Sequence, residues 1–139
     1  MFSPAKFAVE GLSEAMSFEL AAIGVKVKIV EPGMIKTEFA GRSFDFTHDP
    51  SLAEYQGVIA NLMSAMEPMS KMGSPPELVA DVIYQAVTDG SDQLRYTAGP
   101  DAKEIISNRK ALGDTHFLAG IRAQFGLWEA VRVARGRVA

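Results

Sequence analysis

The chain has 139 residues, of which 47% are apolar and 22% are charged, a composition typical of one folded domain rather than a disordered chain. Its formal charge of −3 disfavours nucleic-acid binding, because proteins that bind polyphosphate present an excess of basic side chains. The absence of cysteine excludes disulfides, cysteine-ligated zinc and thiol catalysis. No apolar run reaches the roughly 20 residues of a membrane helix, and the N-terminus lacks a secretion signal, so we expect a cytoplasmic protein without membrane contact.

The first third of the sequence predicts one long helix followed by one strand. Ser3 and Pro4 are typical of a helix N-cap and first helical position, and Gly24 is typical of a helix end. Residues 25–30 alternate and are rich in β-branched side chains, which predicts a strand. Residues 31–33, Glu-Pro-Gly, predict a turn because proline and glycine resist continued strand pairing.

The periodicity weakens in the middle of the chain and returns later. Residues 34–73 are predicted to form short helices and loops, with Pro68 preventing one uninterrupted helix. Residues 77–87 show a clear helical pattern, and residues 94–98 predict a short strand. The remainder, from residue 101 onward, is predicted to be helical or irregular.

This alternation of helix and strand predicts an α/β fold, a partial Rossmann-like, doubly wound unit with two recognisable parallel strands and several helices. Two strands leave both edges of the sheet unpaired, so we expect oligomerisation to complete the sheet. The domain is predicted to cover residues 1–126, and residues 127–139 are predicted to form a basic amphipathic tail.

The turn after the first predicted strand is the first place to look for a ligand site. Open α/β sheets bind ligands beyond the carboxyl ends of their strands, and residues 31–37 lie at that position. A Pro-Gly turn allows a ligand to approach the backbone closely. Taken alone, however, a Pro-Gly pair after a strand usually indicates only a turn.

Two motifs taken together resemble a known family. The first predicted helix carries Lys6 near its start. It is followed by a strand and then by Pro32-Gly33-Met34-Ile35-Lys36-Thr37, and this order resembles the carboxyl half of short-chain dehydrogenases/reductases. That family has a Tyr-x-x-x-Lys motif on the helix and a Pro-Gly-x-x-x-Thr segment after the next strand. The resemblance covers residues 2–125 and implies an oxidoreductase that uses NAD or NADP.

The resemblance also implies roles for individual residues. Lys6 resembles the lysine that holds the nicotinamide ribose hydroxyls and lowers the pKa of the catalytic tyrosine, since a nearby ammonium favours a phenolate. Pro32, Gly33, Ile35 and Thr37 resemble the turn that positions the nicotinamide ring. Without the resemblance, Lys6 would be interpreted as a solvent-exposed helix residue.

The sequence departs from the family pattern at three points. Phe2 occupies the position of the catalytic tyrosine, and phenylalanine has no hydroxyl to transfer a proton. The family's catalytic serine has no counterpart upstream, and no Gly-rich fingerprint for the cofactor diphosphate occurs among the twelve glycines. We therefore expect the chain to be inactive alone and to bind a dinucleotide at millimolar concentration or not at all.

Other motifs point to other functions with less support. Ser3-Pro4-Ala5-Lys6 matches the Ser-x-x-Lys motif of penicillin-binding proteins, but the companion motifs are absent. Asp45, His48 and Asp49 lack the spacing of a metal site, so no metal is predicted. Methionines recur at every third position and fit either ordinary packing or contact with an apolar substrate. They are Met63, Met66, Met69 and Met72.

Two functions remain open at this stage. The first is a short-chain dehydrogenase/reductase half that takes a small apolar carbonyl or alcohol substrate. The second is a non-catalytic, self-associating α/β domain that acts as a scaffold or binding module. The resemblance places the first helix at the family's dimer interface, so both readings predict a homo-oligomer.

Overall fold

The computed structural model describes residues 4–39 and 46–127, and it shows helices packed around a small sheet. In chain order the elements of the described residues are helix α1 (Pro4–Ala21), strand β1 (Ile29–Pro32), helix α2 (Ala53–Lys71), helix α3 (Pro76–Thr88), strand β2 (Arg95–Ala98), helix α4 (Pro100–Ala111) and helix α5 (Asp114–Gln124).

The two strands lie side by side and run parallel, in a register that places Ile29 beside Arg95 and Pro32 beside Ala98. Helices α3 and α4 pack against these strands. Within the described part of the chain, the side chains that are buried come from β2 and its two packed helices, and they are Ala86, Tyr96, Ala98 and Ala102. The predicted α/β class with two parallel strands and several helices is confirmed.

Helices α1 and α3 form where the sequence predicts them. Helix α1 begins at Pro4, and the turn that follows it contains Gly24 at a φ of +77°. Helix α3 has Pro76 at its first position, and the turn after it contains Gly90 at a φ of +69°. Both glycines adopt the left-handed conformation that side chains disfavour, which explains why the helices end there. Ser3 lies outside the described residues.

The strand predicted at residues 25–30 is wrong in its bounds, because β1 covers Ile29–Pro32 instead. The chain opposite residues 25–28 is the loop that precedes β2. Carbonyl oxygens of this loop accept hydrogen bonds from side chains and not from the backbone of a paired strand. Lys26 and Lys28 donate their Nζ protons to carbonyls of residues 90–93. Strand pairing therefore begins only where β2 begins.

The prediction that Pro68 prevents an uninterrupted helix is also wrong. Helix α2 runs without a break from Ala53 to Lys71 and includes Pro68 in its last turn. Proline removes one backbone donor and crowds the preceding turn. The helix nevertheless continues for one more turn, and Met72 donates its N–H to the Pro68 carbonyl at 3.2 Å.

Helix α1 leaves much of its apolar surface uncovered. Phe7, Leu12 and Phe18 are each more than half exposed, and Phe18 reaches 74%. Hydrogen bonds from the Arg95 side chain on β2 reach two carboxylates of α1, those of Glu10 at 3.4 Å and Glu14 at 2.7 Å. No helix in the part of the chain that the structure describes is long and apolar enough to cross a membrane.

Candidate functional site at the carboxyl edge of the sheet

Both strands end in a glycine–proline pair at the same edge of the sheet. Pro32 and Gly33 close β1, Gly99 and Pro100 close β2, and the Gly33 N–H donates to the Ala98 carbonyl at 2.9 Å. Gly99 has a φ of +111°, a conformation that favours glycine. The two turns therefore emerge side by side, at the edge where parallel sheets bind ligands.

The segment after β1 is held by a short second pairing. Ile35 forms a parallel bridge with Ser74, two residues before α3 begins. The Ser74 N–H donates to the Met34 carbonyl, and the Lys36 N–H donates to the Ser74 carbonyl, each at 2.8 Å. Backbone hydrogen bonds on both sides of Ile35 therefore fix the path of this turn.

Asp101, in the first turn of α4, fixes the same segment from the other side. Its Oδ2 accepts the Met34 N–H at 2.6 Å, and its carboxylate lies against Gly33 and Gly99. A Cβ on Gly33 would overlap this carboxylate, and a Cβ on Gly99 would lie 2.8 Å from Oδ1. The two strand-end glycines thus make room for one acidic side chain.

A cavity of about 370 Å³ opens beside this turn. Its wall is mainly apolar and comes from α2, α4 and α5, through side chains such as Met66, Met69, Ile105, Ile121 and Phe125. Its polar lining residues are Glu31, Asp101 and Gln124. A cavity of this size with an apolar wall and few polar groups has the character of a small-molecule site.

Glu31 lines the cavity with a largely buried carboxylate, its side chain being 13% exposed. Burial is the main cause that raises its pKa above the ordinary value, and the neighbouring carboxylate of Glu10 adds to this rise. Arg95 opposes it, with Nε 3.8 Å from Glu31 Oε1. Oε2 of Glu31 is buried and has no hydrogen-bond partner among the described residues.

Some of the predicted site residues line the cavity and others do not. Pro32 and Gly33 line the cavity, while Ile35 is held in its bridge and does not line it. Thr37 is exposed, and its hydroxyl accepts the Phe39 N–H at 3.4 Å. Lys6 is exposed on α1 and is not among the cavity residues. Phe2, at the position predicted to replace the tyrosine, lies outside the described residues.

Sequence reasoning missed the acidic and α4–α5 parts of the cavity. Asp101 could have been found, since it follows Gly99-Pro100 directly after a predicted strand, the same arrangement that drew attention to Pro32-Gly33. The residues of α5 carried no such signal. Of the four regularly spaced methionines, Met66 and Met69 line the cavity, while Met72 is exposed beyond the helix.

One buried tyrosine lies close to a lysine and a serine, but it does not line the cavity. The Tyr96 hydroxyl lies 3.1 Å from Lys28 Nζ and 2.9 Å from Ser91 Oγ, and it donates to Asp89 Oδ2 at 2.7 Å. Tyr96 is only 4% exposed and is not among the cavity residues. This cluster joins the start of the sheet to the end of α3.

The acidic partner in this cluster has a shifted pKa. Hydrogen bonds from the Tyr96 hydroxyl and the Ser91 backbone hold the pKa of Asp89 below its ordinary value. No three histidine or carboxylate side chains within residues 4–39 and 46–127 are grouped to hold a metal ion. His48 stacks on the Phe46 ring, with centroids 5.7 Å apart, and Asp45 lies outside the described residues.

Comparison with known proteins supports an oxidoreductase relationship. The family model described as short chain dehydrogenase matches residues 1–47. An uncharacterized oxidoreductase of Schizosaccharomyces pombe is 43% identical over 122 residues, which are 88% of this chain and 50% of that protein. The NADPH-dependent 3-dehydrocapnine reductase of Ornithobacterium rhinotracheale is 33% identical over 99 residues, covering 71% of this chain and 35% of the reductase.

A more distant relative has a named substrate class. Retinol dehydrogenase 8 of Bos taurus is 28% identical over 104 residues, covering 68% of this chain and 32% of that enzyme. The chain thus spans about half the length, or less, of these curated relatives.

Proposed function

Because the chain belongs to the short-chain dehydrogenase/reductase family, we propose that it supplies the nicotinamide-side wall and the substrate pocket of an NAD(P)-dependent oxidoreductase. The observation that carries this proposal is the apolar cavity of about 370 Å³ that opens beside Pro32 and Gly33. A substrate in this cavity would lie next to the turn that the family resemblance assigns to the nicotinamide.

The wall of the cavity supports an apolar alcohol or carbonyl compound as substrate. Met66 and Met69 contribute flexible, polarizable side chains, which adapt to irregular apolar ligands. Gln124 on α5 adds a neutral polar group to the same lining, and such groups orient a ligand within an apolar pocket. The relative named retinol dehydrogenase is consistent with an apolar substrate.

The turn beside the cavity is held in one conformation by its own contacts. The segment after Gly33 is fixed by Asp101 and Ser74, so this wall of the cavity is in place before a ligand arrives. Lys6 is exposed and makes no ion pair with the described residues, so its ammonium is free to meet ribose hydroxyls. A nicotinamide bound there would supply or accept the hydride.

We further propose that the 139-residue chain is inactive by itself. Phe2 offers no proton at the position of the family tyrosine, and the sequence contains no Gly-rich strand–turn–helix motif for the cofactor diphosphate. Residues 1–126 as the domain, 127–139 as a basic tail, and a cytoplasmic location are parts of the same proposal.

Titration of NADH and NADPH into the 139-residue chain tests this function. We expect no saturation below about 1 mM by intrinsic cofactor fluorescence, since a few hydrogen bonds scarcely exceed the cost of association. At higher concentration, amide shifts of Gly33 and Ile35 should move, while that of Gly90, in the turn at the opposite edge of the sheet, should stay fixed. Micromolar affinity would show that the cofactor site is complete, and motionless Gly33 and Ile35 amides would contradict the proposed cofactor wall.

Self-association is a second candidate function, and the exposure of helix α1 favours it. Phe7 and Phe18, which lie on the same side of α1, form an apolar surface that a soluble monomer rarely leaves uncovered. A second copy that packs along α1 would bury these side chains in a closed, two-fold contact.

Light scattering at micromolar concentration is expected to show a dimer or larger oligomer. Phe18→Ser should weaken the association because it removes an apolar contact from α1. Tyr84→Ser is a matched control, since Tyr84 on α3 is exposed to a similar degree, 70% against 74%. A compact wild-type monomer, or dissociation caused by Tyr84→Ser alone, would exclude α1 as the interface.

A further inference from the structure

The cavity has an uneven distribution of charge. Its residues in the described part of the chain include two acids, Glu31 and Asp101, and no lysine, arginine or histidine. Asp101, at the start of α4, lies against Gly33, and Glu31 lies two residues before Gly33 in β1. The rest of the wall is apolar apart from Gln124.

The positive charges nearby are already shared among several acids. Arg95 lies 3.8 Å from Glu31, but it also contacts Glu14 at 2.7 Å and Glu10 at 3.4 Å. Lys110 on α4 exerts a weaker attraction on Glu31. Three carboxylates thus share Arg95, and neither Arg95 nor Lys110 lines the cavity, whose charged lining residues are acidic.

Asp101 contributes most directly to this acidic lining. Its Oδ2 accepts the Met34 N–H, and the N-terminus of α4 also favours a negative charge at this position. No ion pair of Asp101 occurs among the described residues. The carboxylate is therefore held in place as an anion without a cationic side chain beside it.

From this charge complementarity we propose that the cavity selects amphiphiles with an apolar body and a cationic amine head, and rejects those with a carboxylate head. The proposal rests on the proposed function, because it assigns a substrate class to the same pocket. The apolar tail packs between α2, α4 and α5, and the ammonium lies beside Asp101. A ligand carboxylate would meet like charges in an environment where water screens them poorly.

Three ligands with the same tail test the proposal at pH 7.5, where the amine and the carboxylate are both charged. Octylamine, octanol and octanoate compete for the 139-residue chain with a neutral fluorescent probe, N-phenyl-1-naphthylamine. We expect octylamine to bind at least ~10-fold more tightly than octanoate, with octanol between them. Amide shifts of Met34 and Ala102 locate binding in the cavity, and Leu12 reports any binding on α1.

Matched variants separate the charge of the cavity from general charge effects. Asp101→Asn keeps an oxygen to accept the Met34 N–H and should reduce the preference for octylamine to within about threefold. Asp81→Asn removes the same charge from an exposed position on α3 and should leave the preference unchanged. Glu31→Gln gives a second, independent decrease if Asp101→Asn does not fold.

The outcomes distinguish this inference from the proposed function. If the probe binds the cavity but octanoate binds as tightly as octylamine, the charge selectivity is wrong and the pocket itself stands. If neither the probe nor any octyl ligand changes the amide shifts of Met34 and Ala102, the proposed substrate pocket is wrong. The charge selectivity is then wrong as well.

Discussion

Replacement of Tyr96 by alanine is expected to destabilise the fold by about 3–5 kcal/mol, as large aromatic-to-alanine changes in a core do. Tyr96 is the one large side chain among the four buried side chains of the described chain, the other three being those of alanines. A small domain has a total stability of the order of 5–15 kcal/mol, so the variant should be largely unfolded at moderate urea concentration. Urea titration followed by circular dichroism measures the loss.

The hydroxyl of Tyr96 can be tested separately from its ring. Tyr96→Phe keeps the packing but removes the partner of Asp89, Ser91 and Lys28, and should cost about 1–2 kcal/mol. Tyr84→Phe is the matched control, because Tyr84 is exposed and should lose almost nothing. Equal stabilities for wild type and Tyr96→Phe would show that the cluster contributes no net stability.

The same variant should alter the response to acid. Asp89 has a lowered pKa in the fold, so its contribution to stability is present above the unfolded value of about 3.8 and is lost as the pH falls through the lower folded value. Tyr96→Phe removes the largest cause of this lowering. We therefore expect the difference in stability between wild type and variant to decrease as the pH falls below 3.8.

Gly33→Ala is expected to destabilise the chain by about 1–3 kcal/mol, because the new methyl group overlaps the Asp101 carboxylate. The carboxylate must move, and its hydrogen bond with the Met34 N–H is then lost. Urea denaturation gives the stability, and the Met34 amide shift reports the broken contact.

Two controls identify the cause of this loss. In an Asp101→Ala background, Gly33→Ala should cost less than in wild type, since the overlapping group is gone. Gly57→Ala, in α2 with open space at the Cβ position, should instead stabilise the chain by about 0.5–1 kcal/mol. An equal cost of Gly33→Ala in both backgrounds would mean that Asp101 is not the obstacle.

Elements with strong local signals were predictable from the sequence. The start of α1 at Pro4, its end near Gly24, and helix α3 followed by Gly90 all depend on backbone preferences of single residues. The parallel arrangement of β1 and β2 follows from the alternation of helix and strand. A turn at residues 31–33 was predicted because proline and glycine resist continued strand pairing. Strand β1 extends to Pro32, so the chain turns slightly later than predicted, and Pro32 and Gly33 both line the cavity.

Features that depend on distant partners were not predictable. The register of β1 follows from where β2 begins, so residues 25–28 have strand-like side chains but no strand opposite them. Helix α2 continues through Pro68 to Lys71, although a proline at this position removes one hydrogen bond of the helix. The position of the Asp101 carboxylate in the cavity depends on its contact with Gly33. Asp101 follows β2 and Gly33 follows β1, so the two residues are far apart in sequence.

The attachment of helix α1 to the sheet through Arg95 has a consequence for the conditions under which the protein is handled. The guanidinium and the α1 carboxylates are only partly shielded from solvent, and they lie 2.7 and 3.4 Å apart. The screening length of dissolved ions falls from about 8 Å at physiological strength to about 3 Å at 1 M, which is close to these separations. The ladder between β1 and β2 consists of backbone hydrogen bonds that ions scarcely affect. Concentrated salt therefore loosens the first helix before it disturbs the sheet, and buffers of low ionic strength keep the two together.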